Sequence, residues 1–146
     1  MILLDVNVLV AAHRSDHPHH DAVRLWLENL AAGERSFTVP DIAWAGFIRI
    51  TTNRRIFTVP TPIEGAFEFL RAVRAQPGYV SIVSGSNHLA LFEALCDSGD
   101  ARGDLAADAY LAALAIEQGA TLVSLDRDFA RFEELDWRLP GAEHHS

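Results

Sequence analysis

Ile2-Leu3-Leu4-Asp5-Val6-Asn7-Val8-Leu9 opens the chain with an apolar run that ends on a carboxylate and passes straight into a second apolar stretch. Three uninterrupted aliphatics suit a strand covered on both faces, as in a parallel sheet packed between helices. The second stretch, 8–13, reads as a helix that Asn7 can cap. The same grammar recurs near the other end, where 120–125 is an apolar strand running into Asp126. Between them lie helical patterns at 22–30, ended by Gly33, at 42–51 behind Asp41, at 62–75 behind Pro62, at 86–96, and at 104–118, ended by Gly119. Short apolar runs at 37–39 and 79–83 supply two more strands. Strands alternating with helices predict an α/β fold, a three-layer α/β/α sandwich with a mainly parallel central sheet.

The chain has 146 residues, 49% of them hydrophobic and 22% charged. That length and composition predict one globular domain, 1–146, with a short polar tail at 141–146 that includes His144 and His145. A single cysteine, Cys96, excludes an intramolecular disulfide framework and a multi-cysteine zinc site, and fits a reducing compartment such as the cytoplasm. No uncharged apolar run is long enough to span a bilayer. The 12 basic residues are all arginine and face 20 acids, for a formal net charge of -8. On composition alone this argues against a polyanionic partner, since affinity for nucleic acid comes mainly from cationic side chains.

The absence of lysine decides between folds that place an acid after the first strand. Phosphatases of the haloacid dehalogenase type need a second aspartate where this chain has Asn7, and they need a lysine. Receiver domains of response regulators need a lysine as well. Both are excluded.

In open parallel sheets, ligands bind beyond the carboxyl ends of the strands. That rule singles out Asp5 and Asp126, with Asp128 two residues on. Asp104 and Asp108 stand four apart at the start of one helix, so they share a face. Asp104 reads either as an N-cap or as a functional acid. Asp108 sits among Ala107, Ala109, Leu111, Ala112 and Ala115, so its charge needs a partner. A cation shared with Asp5 and Asp126 would serve, and clustered carboxylates favour hard, oxygen-seeking ions such as Mg²⁺ or Mn²⁺. His13, His17, His19 and His20 lack the spacing of a transition-metal motif.

Three segments together carry a resemblance: Leu4-Asp5-Val6-Asn7-Val8-Leu9, the helix from Asp104-Leu105-Ala106-Ala107-Asp108 to Ala113, and Leu122-Val123-Ser124-Leu125-Asp126-Arg127-Asp128-Phe129. In this order and at this length the chain resembles the PIN-domain ribonucleases, and among them the VapC toxins of bacterial toxin-antitoxin pairs. The resemblance implies an endoribonuclease dependent on Mg²⁺ or Mn²⁺, acting on single-stranded or loop RNA. It implies Asp5, Asp108 and Asp126 as metal ligands and catalytic acids, with Asp128 an accessory acid able to join them. Asn7 matches a polar position that can hydrogen-bond an acid or a metal water, or serve only as a cap. The resemblance also implies a homodimer and a VapB-type antitoxin partner, with 22–30 and 66–70 as either interface or core.

One departure stands out. The family pattern Glu-Phe-Leu-Arg corresponds here to Gly46-Phe47-Ile48-Arg49, so an expected acid is missing. This leaves the number of metal ions open, makes Asp104 a candidate substitute, and opens a second reading: a catalytically weakened PIN domain that binds RNA or an antitoxin without efficient cleavage. Arg49, Arg54 and Arg55, with Trp44 and Phe57 nearby, read either as one wall of an RNA groove or as a solvated helix end over core aromatics.

Overall fold

The computed structural model describes residues 1–142 and has four strands and six helices, in the order β1 (Ile2–Leu4), α1 (Val6–His13), α2 (His20–Ala32), β2 (Phe37–Thr38), α3 (Asp41–Thr51), α4 (Ile63–Arg74), α5 (His88–Ser98), α6 (Leu105–Glu117), β3 (Thr121–Val123) and β4 (Trp137–Arg138). A 3₁₀ turn, Arg127–Arg131, joins β3 to β4. Residues 143–146, which include His144 and His145 of the expected tail, lie outside the described residues. The sheet runs β2-β1-β3-β4 with every pair parallel.

Successive side chains of a strand face opposite sides of its sheet, and the core divides accordingly. Ile2 and Leu4 of β1, with Val123 of β3, pack under α1, α2, α3 and α4. Leu3 and Leu122 point the other way, into α5, α6, Phe129 and Phe132. The result is the α/β/α sandwich expected from the sequence. The unbroken apolar runs of β1 and β3 are what both-sided burial requires, and Ile2, Leu3, Leu4, Leu122 and Val123 are all fully buried.

Two local expectations need correction, and one strand has no sequence signal. The run 79–83 does not become a strand. Tyr79 makes a single parallel bridge to Phe37, and most of the residues that follow are exposed. The Tyr79 hydroxyl instead donates to the Val39 carbonyl and accepts from Trp44 Nε1, which anchors one residue and lets the chain leave the sheet. The strand β4, by contrast, follows a polar and acidic stretch and has only two residues, too few for an alternating pattern. Asn7 is not the cap of the first helix. Asp5 takes that place, its Oδ1 accepting from the Val6 N–H at 2.7 Å.

Helix α6 ends where Gly119 adopts a left-handed φ of 63°, a conformation that favours glycine. Helix α3 lies so close to α1 that a Cβ at Gly46 would stand 2.9 Å from Val6 Cγ2. Among the described residues no helix is long and apolar enough to cross a membrane.

Candidate functional site

Because β1 and β3 are parallel neighbours, Leu4 pairs with Val123, and the residues that follow them emerge together at the carboxyl edge of the sheet. The Asp5 N–H extends the ladder by one bond, donating to the Val123 carbonyl at 3.1 Å. Ser124 takes the corresponding place after β3 and is completely buried. Its hydroxyl donates to Asp5 Oδ2 at 2.7 Å and accepts from Asn7 Nδ2 and from the Asp126 N–H, each at 3.0 Å. A serine hydroxyl has one proton and two lone pairs, and all three are used. Asn7 completes the link across the strands, its Oδ1 accepting from the Leu125 N–H at 3.0 Å. Asp126 Oδ1 accepts from the Asp128 N–H at 2.9 Å, which caps the 3₁₀ turn and sets the distance between these two acids.

Helix α6 brings the remaining acid. One carboxylate oxygen each from Asp108, Asp126 and Asp128 lie within 4.8 Å of one another. Asp108 and Asp126 are half-buried and Asp128 is exposed, so the group opens to solvent on one side. Burial and crowding bear on Asp108 and on Asp5. The pKa of Asp108 is pushed up to about 6, first by burial and then by the charges of Asp126, Asp5 and Asp128, against a smaller opposing pull from Arg131. Burial also pushes Asp5 up, partly offset by the Ser124 and Val6 hydrogen bonds, with Asp126 adding to the rise. Like charges held this close favour protonation or a cation among them. The donor set is all carboxylate, with no thiolate or imidazole, which fits a hard divalent ion.

The structure therefore gathers Asp108, Asp126 and Asp128, with Asp5 close enough for its charge to bear on Asp108. Asp104 stands apart: it occupies the residue before α6, is exposed, and makes no side-chain capping bond. Arg49, Arg54 and Arg55 are all exposed, and among the described residues none is in an ion pair. The aromatics near them are already engaged. Trp44 is 5% exposed and hydrogen-bonded to Tyr79, so it belongs to the core. The Arg14 guanidinium lies 4.0 Å from the centre of the Phe57 ring. Arg14 also reaches Asp16 and Thr61, fastening the loop after α3 to the end of α1.

Ser124 is the site residue that sequence reasoning misses. It lies inside the segment 122–129, and the signal that could have found it is the equivalence of the two strand ends: whatever follows β3 must meet Asp5.

The PIN domain family matches residues 2–135, and this chain belongs to that family. Among curated relatives, the chain is 55% identical to ribonuclease VapC25 of Mycobacterium tuberculosis over 132 residues, covering 90% of this chain and 93% of the relative. It is 46% identical to ribonuclease VapC43 of the same species over 140 residues, covering 96% and 95%. Among solved structures, VapBC2 from Rickettsia felis bound to a promoter DNA fragment aligns with a TM-score of 0.68 at 22% identity, covering 95% of this chain and 98% of that one. Mycobacterium tuberculosis VapC20, described as a toxin that cleaves the sarcin-ricin loop, aligns at 0.66 and 17% identity, covering 94% and 99%. At these identities the structural matches speak for the fold.

Proposed function

We propose that this chain is a metal-dependent endoribonuclease, the toxin of a VapBC-type pair, that cleaves single-stranded or loop RNA with Mg²⁺ or Mn²⁺. The observation that carries the reading is the convergence of Asp108, Asp126 and Asp128 within 4.8 Å at the strand ends, with Asp5 half-buried and close enough for its charge to bear on Asp108. Relatives named as ribonucleases, more than half identical over most of the chain, support it.

Asp108, Asp126 and Asp5 are the acids assigned to hold the ion, with Asp128 at the open side. A divalent ion held there supplies an acidified water nucleophile and countercharge for the phosphoryl oxygens of a phosphodiester. Ser124 and Asn7 keep Asp5 and the Asp126 backbone at fixed separation, so the acids need little rearrangement to receive it. Arg49, Arg54 and Arg55 are assigned to the RNA phosphates away from the scissile bond, where a guanidinium can fork onto two oxygens.

The partner assigned to the protein is a VapB-type antitoxin, and the working form a homodimer in the cytoplasm. A groove of about 560 Å³ between α1, α2 and α4, with Leu27, Ala31, Phe69 and Val73 on its floor and Arg24 and Glu28 on its rim, offers an apolar seat for an antitoxin segment.

Gly46 favours one alternative, a weakened domain that binds RNA or antitoxin without efficient cleavage, since this position lacks the family's acid. Sequencing RNA ends after brief expression separates the two. Discrete new ends that vanish in Asp5→Ala and Asp108→Ala support the nuclease, and purified protein should then lose cleavage with EDTA. Full activity of both variants, or activity untouched by EDTA, removes the catalytic assignment. RNA retained without new ends favours the binder.

A further inference from the structure

The hydrogen bonds around Ser124 leave one participant whose role lies outside the acid set, Trp137 of β4. Pairing between β3 and β4 ends as the Ser124 N–H donates to the Arg138 carbonyl at 3.1 Å. The next peptide unit joins Ser124 to Leu125 and is held by side chains at both ends. Its carbonyl accepts from Trp137 Nε1 at 3.1 Å, and its N–H donates to Asn7 Oδ1 at 3.0 Å. Asp126 is the next residue along. The peptide plane that leads into Asp126 is therefore held at both ends, and the Asp126 N–H beyond it meets the Ser124 hydroxyl.

We infer that Trp137 is a positioning residue for the acid site, acting through the Ser124–Leu125 peptide to place Asp126. This rests on the metal-site reading given above. The indole suits the task because it carries a single N–H donor on a large, rigid, half-buried ring that packs against the α5–α6 side of the core. The ring locates the donor by packing, and the donor locates the peptide. Strand β4 has only two residues and hence a short ladder, and the Trp137 side-chain bond adds a further tie between it and the residue that follows β3.

The test replaces the donor and keeps the bulk. In Trp137→Phe, amide exchange at Leu125 and Asp126, followed by NMR in metal-free protein, is expected to accelerate. Mn²⁺ affinity measured by calorimetry is expected to fall by about 10-fold, the lower end of what outer-shell partners of metal ligands contribute. With RNA as substrate, the loss should fall on kcat more than on KM. If Trp137→Phe does not fold, incorporation of benzothienylalanine at 137, in which sulfur replaces the indole N–H, puts the same question to an intact ring.

Unchanged Mn²⁺ affinity and unchanged amide protection overturn the inference. A lowered Tm with wild-type Mn²⁺ affinity overturns it too, since that marks a packing role alone. Should the wild-type protein neither bind Mn²⁺ nor cleave RNA, the metal-site reading fails, while the exchange comparison, made without metal, still decides whether Trp137 holds the Asp126 limb.

Discussion

At the scale of single residues, the acid site is a balance between crowding and hydrogen bonding. Asp108 has a pKa of about 6 against an ordinary 3.8, and Asp5 is raised as well. A carboxyl group raised on folding binds its proton more tightly in the native state. Its contribution to stability is therefore full below about 4 and is lost as pH rises through about 6. Metal-free protein should thus become more stable as pH falls from 7.5 to 5, by about 1 kcal/mol or less from Asp108 once solvent screening is allowed for. Asp108→Asn should raise the Tm at pH 7.5 by a few degrees and flatten this dependence. Thermal melts across that range check both, and adding MnCl₂ should stabilise the wild type while leaving the variant nearly unmoved.

Ser124 works on the other side of the balance. Removing its hydroxyl deprives the half-buried Asp5 carboxylate of a donor and two further groups of their acceptor. Ser124→Ala is expected to cost about 2 kcal/mol in urea denaturation. It should also reduce RNA cleavage by at least about 10-fold. Stability and activity that both match wild type would show that the cross-strand network is incidental.

At the scale of elements, what can be read from the sequence depends on whether burial leaves a periodic mark. Strands β1 and β3 and helix α6 are buried on most sides and announce themselves as apolar runs. Asp5 and Asp126 follow the two strands closely and Asp108 lies in the first turn of the helix, which is why these acids are legible in the chain alone. Strand β4 is two residues long, and 79–83 is apolar for reasons other than pairing, so periodicity misjudges both. Ser124 is hidden for a different reason. A serine between two aliphatics has no signature of its own, and its role exists only once two strands are set side by side.

Gly46 belongs to this scale as well, because its meaning lies in how α3 crosses α1. The sequence marks it as a missing acid, whereas the structure also makes it a point of close approach to Val6, the neighbour of Asp5. Any side chain there must displace the γ-methyl of a β-branched residue whose χ1 is stiff in a helix. Gly46→Glu should therefore lower the metal-free Tm, at a cost of about 1–3 kcal/mol from overpacking. If the missing acid limits ion binding, the same variant tightens Mn²⁺ affinity in calorimetry. Unchanged affinity would leave Gly46 with a packing role only.

At the scale of the whole molecule, the proposed function asks an acidic protein to meet a polyanion. Of the 12 arginines that oppose 20 acids, Arg14, Arg24, Arg102 and Arg138 are engaged in ion pairs with Asp16, Glu28, Asp100 and Asp136. Arg49, Arg54 and Arg55 remain exposed around the end of α3, and the turn at Asn53 holds the last two in place through the Arg55 N–H. General affinity for RNA should accordingly be weak in EDTA, since a net charge of -8 repels phosphate at long range. With Mn²⁺ present the local sign at the acids reverses, and the arginines can add their own bonds to phosphate. Fluorescence anisotropy with a single-stranded RNA, read before cleavage proceeds, should show Mn²⁺-dependent binding that weakens with salt. Arg54→Ala with Arg55→Ala should lower the affinity and reduce the salt slope by about one to two, because each phosphate left without its arginine keeps about one more counterion. Binding of equal strength in EDTA, or a salt slope untouched by the double substitution, would mean that RNA approaches by another face and that these arginines only solvate the end of α3.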